Sequence, residues 1–137
     1  MTLFLDTSAL LELGVEGERR DLVSATLTGD DPRCASALAR TEAMLALRHL
    51  ALGPHELTEL WADFRCTWDS LHVVPVDGPC LDRAVEVGST FGLGVSDAVH
   101  LSAAERLPGP VRFVTFSPSQ IPAAAELGFE VISEYSG

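Results

Sequence analysis

The sequence contains no lysine: all nine of its Lys and Arg residues are arginines, against twenty acidic side chains, for a formal net charge of −11. The absence of lysine excludes Schiff-base chemistry, P-loop phosphate binding and receiver-type signalling, each of which needs that side chain. The acidic charge disfavours non-specific binding to nucleic acid or anionic membranes. A nucleic-acid substrate stays open, because divalent cations can invert the local sign of an acidic pocket.

Cysteine and long apolar runs are also scarce. The three cysteines, Cys34, Cys66 and Cys80, are widely spaced and form no C-x-x-C motif. That argues against a disulfide framework or a zinc site and favours reduced thiols in a cytosol. No apolar run approaches the length of a membrane span, so none is expected. The first residues lack a basic region before Asp6 and do not predict a signal peptide.

Short apolar runs alternate with helical patterns along a chain of 137 residues. This alternation predicts a single domain over residues 1–137, with a parallel sheet covered by helices on both faces. The predicted strands are residues 3–5, 33–35, 72–76, 111–116 and 129–132. The predicted helices cover residues 7–17, 18–27, 37–52, 55–68, 80–91, 97–107 and 118–127. Ser36 and Ser96 are expected to cap helices, and residues 117–120 to form a capping box.

Asp6 stands where the first strand ends and a helical pattern begins, followed by the hydroxyls of Thr7 and Ser8. A strand buried on both faces is expected in the centre of a parallel sheet, and ligands of such sheets bind at the carboxyl ends of the strands. Asp6 is therefore the first candidate active-site residue. The alternative is a structural role in capping the turn.

Two further acids are candidates for the same pocket. Glu42 lies two turns into a largely apolar helix, and Asp97 opens another helix. Several carboxylates in one pocket repel each other, and an oxygen-preferring cation such as Mg²⁺ or Mn²⁺ would relieve that repulsion. The chemistry that follows is metal-assisted hydrolysis of a phosphodiester. The alternatives are a surface acid at Glu42 and an acid favoured by the helix dipole at Asp97.

Four segments in this order resemble the PIN domain family, and within it the toxin ribonucleases of VapBC toxin–antitoxin systems. They are Leu5–Leu10, Arg40–Glu42, Ser96–Leu101 and Val114–Phe116, the last leading into Ala125–Val131. The resemblance implies a three-layer α/β/α sandwich whose central parallel sheet has about five strands in the order 3-2-1-4-5. It also implies a Mg²⁺ or Mn²⁺ site, endoribonuclease activity, homodimers and a cognate antitoxin.

On this resemblance, Asp6, Glu42 and Asp97 are the metal-site and catalytic acids. Supporting hydroxyl groups are expected from Thr7, Ser8, Thr115 and Ser117, and Arg40 is a candidate contact for an RNA phosphate. Ser117 departs from the family, which usually has an acid at this position. A hydroxyl can hold a metal-bound water but supplies no charge, so a catalytically weak or silent binding module is the alternative function.

The sequence also bears on a second class of enzyme and on the role of His100. A haloacid-dehalogenase phosphatase needs a second Asp two residues after Asp6, where Ser8 stands, and is a poor fit. His100 lies one turn beyond Asp97 among apolar neighbours, which favours a hydrogen-bonded structural histidine over a site residue.

Overall fold

A computed structural model describes residues 1–134 of the chain. Five strands form one sheet: β1 (Thr2–Leu5), β2 (Arg33–Ser36), β3 (His72–Val74), β4 (Val111–Val114) and β5 (Glu130–Ile132). The helices are α1 (Thr7–Glu12), α2 (Glu18–Thr26), α3 (Ala37–Leu50), α4 (Pro54–Trp68), α5 (Gly78–Phe91), α6 (Val95–Glu105) and α7 (Gln120–Glu126). Among these residues, no helix combines the length and apolar character needed to cross a bilayer.

The sheet order is β3-β2-β1-β4-β5 and every pair of neighbouring strands is parallel. This confirms the expected order and the central position of β1. Phe4 of β1 lies opposite Cys34 of β2 on one side and Phe113 of β4 on the other. All five strands therefore end at the same edge of the sheet, which is where Asp6 follows β1.

Side chains alternate between the two faces of the sheet, and each face has its own helical layer. Leu5, Ala35 and Val114 pack with the buried residues of α1 to α4. Phe4 and Phe113 point to the other face, where they stack at 5.3 Å and pack against α5, α6 and α7. The result is a three-layer α/β/α arrangement, as expected.

Several predicted element bounds are wrong, and two of the differences affect the surroundings of Asp6. The helix expected over residues 7–17 ends at Glu12, because Gly14 lies in a turn and Gly17 adopts a φ of 148° that favours glycine before α2 begins. The strand expected over residues 111–116 ends at Val114, so Thr115 and Phe116 lie beyond the ladder at the carboxyl edge of the sheet. This second difference places the Thr115 hydroxyl beside Asp6.

The predicted helix caps also differ from the structure. α6 begins at Val95 with Gly94 as its N-cap, so Ser96 does not cap it. The capping box is absent: α7 begins at Gln120, and its N-cap residue Ser119 makes no capping bond. Ser36 is the N-cap residue of α3, yet its side chain makes no capping bond either. The hydroxyls of Ser36 and Ser119 have other partners, which belong to the site described next.

Candidate active site at the carboxyl edge of the sheet

Asp6 is a buried carboxylate, 2% exposed, directly after the central strand. Its Oδ1 accepts hydrogen bonds from Ser8 Oγ at 2.7 Å and from the Ala9 amide at 3.0 Å, so Asp6 also caps α1. Its Oδ2 accepts one from Thr115 Oγ1 at 2.6 Å. Burial raises the pKa of Asp6 above its usual value, and the hydrogen bonds from Ser8, Thr115 and Ala9 only partly oppose that shift. A cation near Asp6 would therefore stabilise its charged form.

Thr115 shares one hydroxyl hydrogen between two oxygens. Its Oγ1 lies 2.6 Å from Asp6 Oδ2 and 2.8 Å from Gln120 Oε1, while the Ser117 amide donates to it at 3.0 Å. A hydroxyl donates only once. A proton on Asp6 resolves the conflict, because Asp6 then donates to Thr115 and Thr115 donates to Gln120. This agrees with the raised pKa of Asp6.

Glu42 reaches the site from α3 and is held by hydrogen bonds on Oε1. Thr7 Oγ1 donates to it at 2.8 Å, and His100 Nε2 lies 2.6 Å away. The bond from His100 is the largest cause that lowers the pKa of Glu42, with further contributions from Ser96 and Thr7, against an opposing effect of burial. The pKa falls to about 2, so Glu42 is ionised at neutral pH.

Asp97 lies in the first turn of α6 and is half-buried. Its Oδ2 accepts a hydrogen bond from Ser119 Oγ at 2.7 Å, and Ser117 Oγ lies 3.1 Å from Ser119 Oγ. Since the Ser119 hydrogen goes to the carboxylate, Ser117 must be the donor of the second bond. Ser117, which stands where the family usually has an acid, is thus linked to Asp97 through the hydroxyl of Ser119.

The structure places seven of the eight residues singled out from the sequence in three hydrogen-bonded groups at this edge. Asp6, Ser8 and Thr115 form one group, Thr7 and Glu42 a second, and Asp97 and Ser117 a third. Gln120, fully buried, connects the first group to the third, since its Nε2 lies 3.4 Å from the carbonyl oxygen of Asp97. Arg40 is exposed on α3 and makes no hydrogen bond or ion pair with other residues of the 1–134 range.

Four residues of the site were missed by the sequence analysis or given only a structural role: Ser36, His100, Ser119 and Gln120. One of them had a usable indication. His100 follows Asp97 by three residues on α6, a spacing that brings side chains to the same face of a helix. Its apolar neighbours predicted burial correctly, and it is 2% exposed, but they gave no indication of its bond to Glu42.

The donors at this edge are chemically suited to a hard divalent cation. They are carboxylate and hydroxyl oxygens, the ligands that Mg²⁺ and Mn²⁺ prefer. Within residues 1–134, no three acid, histidine or cysteine side chains are already arranged as a set of metal ligands. Several carboxylate oxygens are instead engaged by Ser8, Thr115, His100 and Ser119. Binding a cation between these acids therefore requires side chains to move or water to complete the coordination.

A five-stranded parallel sheet in this order, with helices on both faces and acids at its carboxyl edge, defines an α/β protein of PIN-like architecture. The sequence profile of the PIN domain matches residues 3–116. The chain belongs to the PIN domain family.

Known proteins and solved structures resemble this chain over nearly its full length. Ribonuclease VapC46 of Mycobacterium tuberculosis is 33% identical over 132 residues, which are 96% of each chain. The FitAcB structure from Neisseria gonorrhoeae superposes with a TM-score of 0.73 at 17% identity, covering 96% of each chain. A toxin–antitoxin complex from Klebsiella pneumoniae gives a TM-score of 0.70 at 17% identity, covering 98% of each chain. The two solved structures share the fold.

The raised pKa of Asp6 predicts a pH-dependent effect of Asp6→Asn on stability. The folded protein retains a proton at Asp6 that the unfolded chain releases near its ordinary pKa of 3.8. The free energy of unfolding contributed by Asp6 therefore falls as pH rises from that value through the raised folded pKa. In EDTA, we expect the stability of Asp6→Asn relative to wild type to increase as the pH rises above about 4, the ordinary pKa of the group. Urea unfolding at a series of pH values measures it.

Asp82→Asn is the matched control, because Asp82 is an exposed acid on α5. Its stability relative to wild type should stay flat across the same range. A relative stability of Asp6→Asn that is constant or declines with pH would contradict the assignment of a raised pKa to Asp6.

Proposed function

We propose that this protein is a Mg²⁺- or Mn²⁺-dependent endoribonuclease and the toxin of a VapBC-type toxin–antitoxin pair, acting in the cytosol as a single PIN domain over residues 1–137. The observation that carries the proposal is the position of Asp6, Glu42 and Asp97 at one edge of the sheet. Hydrogen bonds through Thr115 and Gln120 run from Asp6 to the backbone carbonyl of Asp97, and Thr7, the residue after Asp6, donates to Glu42. The likeness to a protein named as a ribonuclease, over 96% of both chains, supports the choice of RNA.

In the proposed mechanism, Asp6, Glu42 and Asp97 hold the cation. When bound, a divalent cation supplies positive charge beside the phosphodiester and makes water a stronger nucleophile. Glu42 is ionised, and because Thr7 and His100 occupy its Oε1, Oε2 is the oxygen that orients the attacking water. The water oxygen would bond to phosphorus as one P–O bond of the backbone breaks. The attacking water would lose one proton to solvent, and the leaving oxygen would gain one from solvent. Arg40, exposed on the same helix as Glu42, contacts a neighbouring phosphate.

Ser117 supports the alternative function, a silent binding module with the same fold. Its hydroxyl donates to Ser119 and adds no charge beside Asp97. One acid fewer lowers the attraction of the site for a second cation. A module of this kind would keep its protein partner and lose efficient hydrolysis.

The nuclease proposal predicts that Mn²⁺ binding and RNA cleavage disappear together in an Asp6→Asn, Asp97→Asn double variant. We expect cleavage of total RNA by the purified wild type to fall by a factor on the order of 10²–10³, since both substitutions remove charge that holds the cation. Calorimetric titration with Mn²⁺ and gel analysis of the RNA measure the two effects. Mn²⁺ binding without cleavage of any RNA would favour the silent module, and no binding by folded wild type would refute the metal site.

Ser117→Asp separates the two candidate functions. The carboxylate would enter the hydrogen-bonded set that contains Ser119 and Asp97 and restore the usual charge. A tenfold or greater gain in Mn²⁺-dependent cleavage, about 1.4 kcal/mol of transition-state stabilisation, is expected if the natural site is weakened. Ser117→Asn, of the same shape without charge, should give no gain. If the wild type cleaves RNA and Ser117→Asp does not raise its rate, the serine hydroxyl is sufficient for catalysis at this position.

Two apolar grooves provide surfaces for the proposed partners. One, of about 310 Å³, lies between α1, α3 and α4 and includes the acids Glu56 and Asp63 among its lining residues. The other, of about 490 Å³, lies along α5 and α6, has no charged lining residue, and is flanked by the exposed side chains of Leu81, Val85 and Val95. Self-association at the first groove would bring the lining acids of two copies together, whereas the second groove has no lining acid.

We therefore assign the α1/α3/α4 groove to an antitoxin segment with apolar and basic side chains, and the α5/α6 groove to a second copy of this chain. The dimer assignment predicts that Val85→Glu converts a dimer into a monomer, because it places a charge in the apolar contact. Val15→Glu, at an exposed lining residue of the first groove, should leave the dimer intact. Analytical ultracentrifugation distinguishes the two, and a monomeric wild type at micromolar concentration would refute the assignment.

A further inference from the structure

Four side chains from four elements form a continuous hydrogen-bonded chain behind the candidate site, buried at Ser36 and His100 and half-buried at Glu42 and Thr7. Ser36 ends β2 and is fully buried, His100 lies on α6, Glu42 on α3 and Thr7 at the start of α1. His100 Nδ1 lies 2.9 Å from Ser36 Oγ, and His100 Nε2 lies 2.6 Å from Glu42 Oε1 and 3.1 Å from Thr7 Oγ1. Both ring nitrogens are thus bonded, and all three contacts are with side chains.

The partners of His100 determine which nitrogen carries the hydrogen. Glu42 Oε1 accepts the hydrogen of Thr7, so Glu42 Oε1 and Thr7 Oγ1 both face Nε2 as acceptors. Nε2 therefore faces two acceptors and must be the N–H. Ser36 can donate to Nδ1, so neither ring nitrogen is left as an unpaired buried atom. The order of donation runs from Ser36 through the imidazole to the carboxylate.

This arrangement differs from that of a histidine that only stabilises the core. A buried polar side chain with only a structural role can bond to a backbone group. Ser102, on the same helix as His100, does so by donating its hydroxyl to the Cys80 carbonyl oxygen at 2.7 Å. The imidazole of His100 instead spans from the end of β2 to the one acid that α3 brings to the site. Without the Nε2 donor, Glu42 keeps only hydroxyl partners and can rotate about its side-chain bonds.

We propose that His100, oriented by Ser36, is the positioning residue for Glu42: its Nε2–H fixes Oε1 and thereby leaves Oε2 directed toward the cation and the attacking water. The inference rests on the metal-dependent function proposed above. It adds two residues, His100 and Ser36, that support the proposed site without touching substrate. Partners that hydrogen-bond to metal ligands commonly change metal affinity or activity by about 10- to 100-fold when they are removed.

Two amide substitutions separate the roles of the two ring nitrogens. Gln places its terminal amide where Nε2 lies and can still donate to Glu42, whereas Asn ends near Nδ1 and can reach only Ser36. Ser36→Ala keeps the imidazole and removes its orienting partner. Ser102→Ala is the control for loss of a buried hydrogen bond on the same helix away from the site. Thermal unfolding of each variant identifies any that do not fold.

We expect His100→Asn to weaken Mn²⁺ binding, measured by calorimetry, by about 10- to 100-fold, and to lower kcat on a fluorophore-labelled single-stranded RNA with little change in KM. His100→Gln should retain most of the wild-type Mn²⁺ affinity and kcat. Ser36→Ala should have values of both between those of His100→Asn and the wild type. Ser102→Ala should reduce thermal stability without changing Mn²⁺ affinity. Long-range ¹⁵N–¹H spectra of the wild type in EDTA should show the Nε2–H tautomer at His100.

If His100→Asn binds Mn²⁺ as tightly as the wild type and has the same kcat, the positioning role is overturned and the nuclease function stands. The same conclusion follows if folded His100→Gln and His100→Asn lose equal amounts of Mn²⁺ affinity and kcat. If the wild type itself binds no Mn²⁺, the proposed function fails. The tautomer of His100 then decides whether the imidazole donates to Glu42. The Nε2–H form then supports the hydrogen-bonded chain from Ser36 to Glu42, and the Nδ1–H form overturns it.

Discussion

The buried carboxyl group at the end of the central strand is the constraint on which the site depends. Asp6 is 2% exposed, and an ionised carboxylate in that environment is costly unless donors or a cation compensate for it. Ser8, Ala9 and Thr115 supply donors from α1 and from the residue that follows β4. The strand order makes this possible, because β1 and β4 are parallel neighbours and end at the same edge. A proposed function that requires a cation fits a site that is electrostatically incomplete without one.

The strands and the candidate acids were both identified from local patterns in the sequence, and the structure confirms the sheet. Three apolar residues ending at Asp6 identify a buried strand and the edge at which it stops. Glu42 was identified because an acid is unexpected among the apolar positions of α3. The order of the strands came from the family resemblance, and the structure confirms it.

The hydrogen-bond partners could not be predicted, because they are contacts between residues far apart in the chain. Ser36 and Ser119 precede helices, and local rules assign such hydroxyls to helix ends. In the fold, Ser36 meets His100 and Ser119 meets Asp97, partners 64 and 22 residues away. Gln120 was assigned to the end of a capping box for the same reason, yet it is buried between Thr115 and Asp97. A rule based on neighbouring residues cannot predict a hydrogen-bond partner that only the tertiary fold brings close.

The distribution of the site along the chain has a consequence for synthesis of the protein. Asp6 leaves the ribosome early, but Thr115, Ser119 and Gln120 follow only after more than one hundred further residues. The central strand β1 likewise lacks its neighbour β4 until residue 111 is made. No growing chain shorter than about 120 residues contains the groups that hold Asp6 and Asp97 in place. An enzyme that cuts RNA would therefore become active only after residue 120 has been made and has emerged.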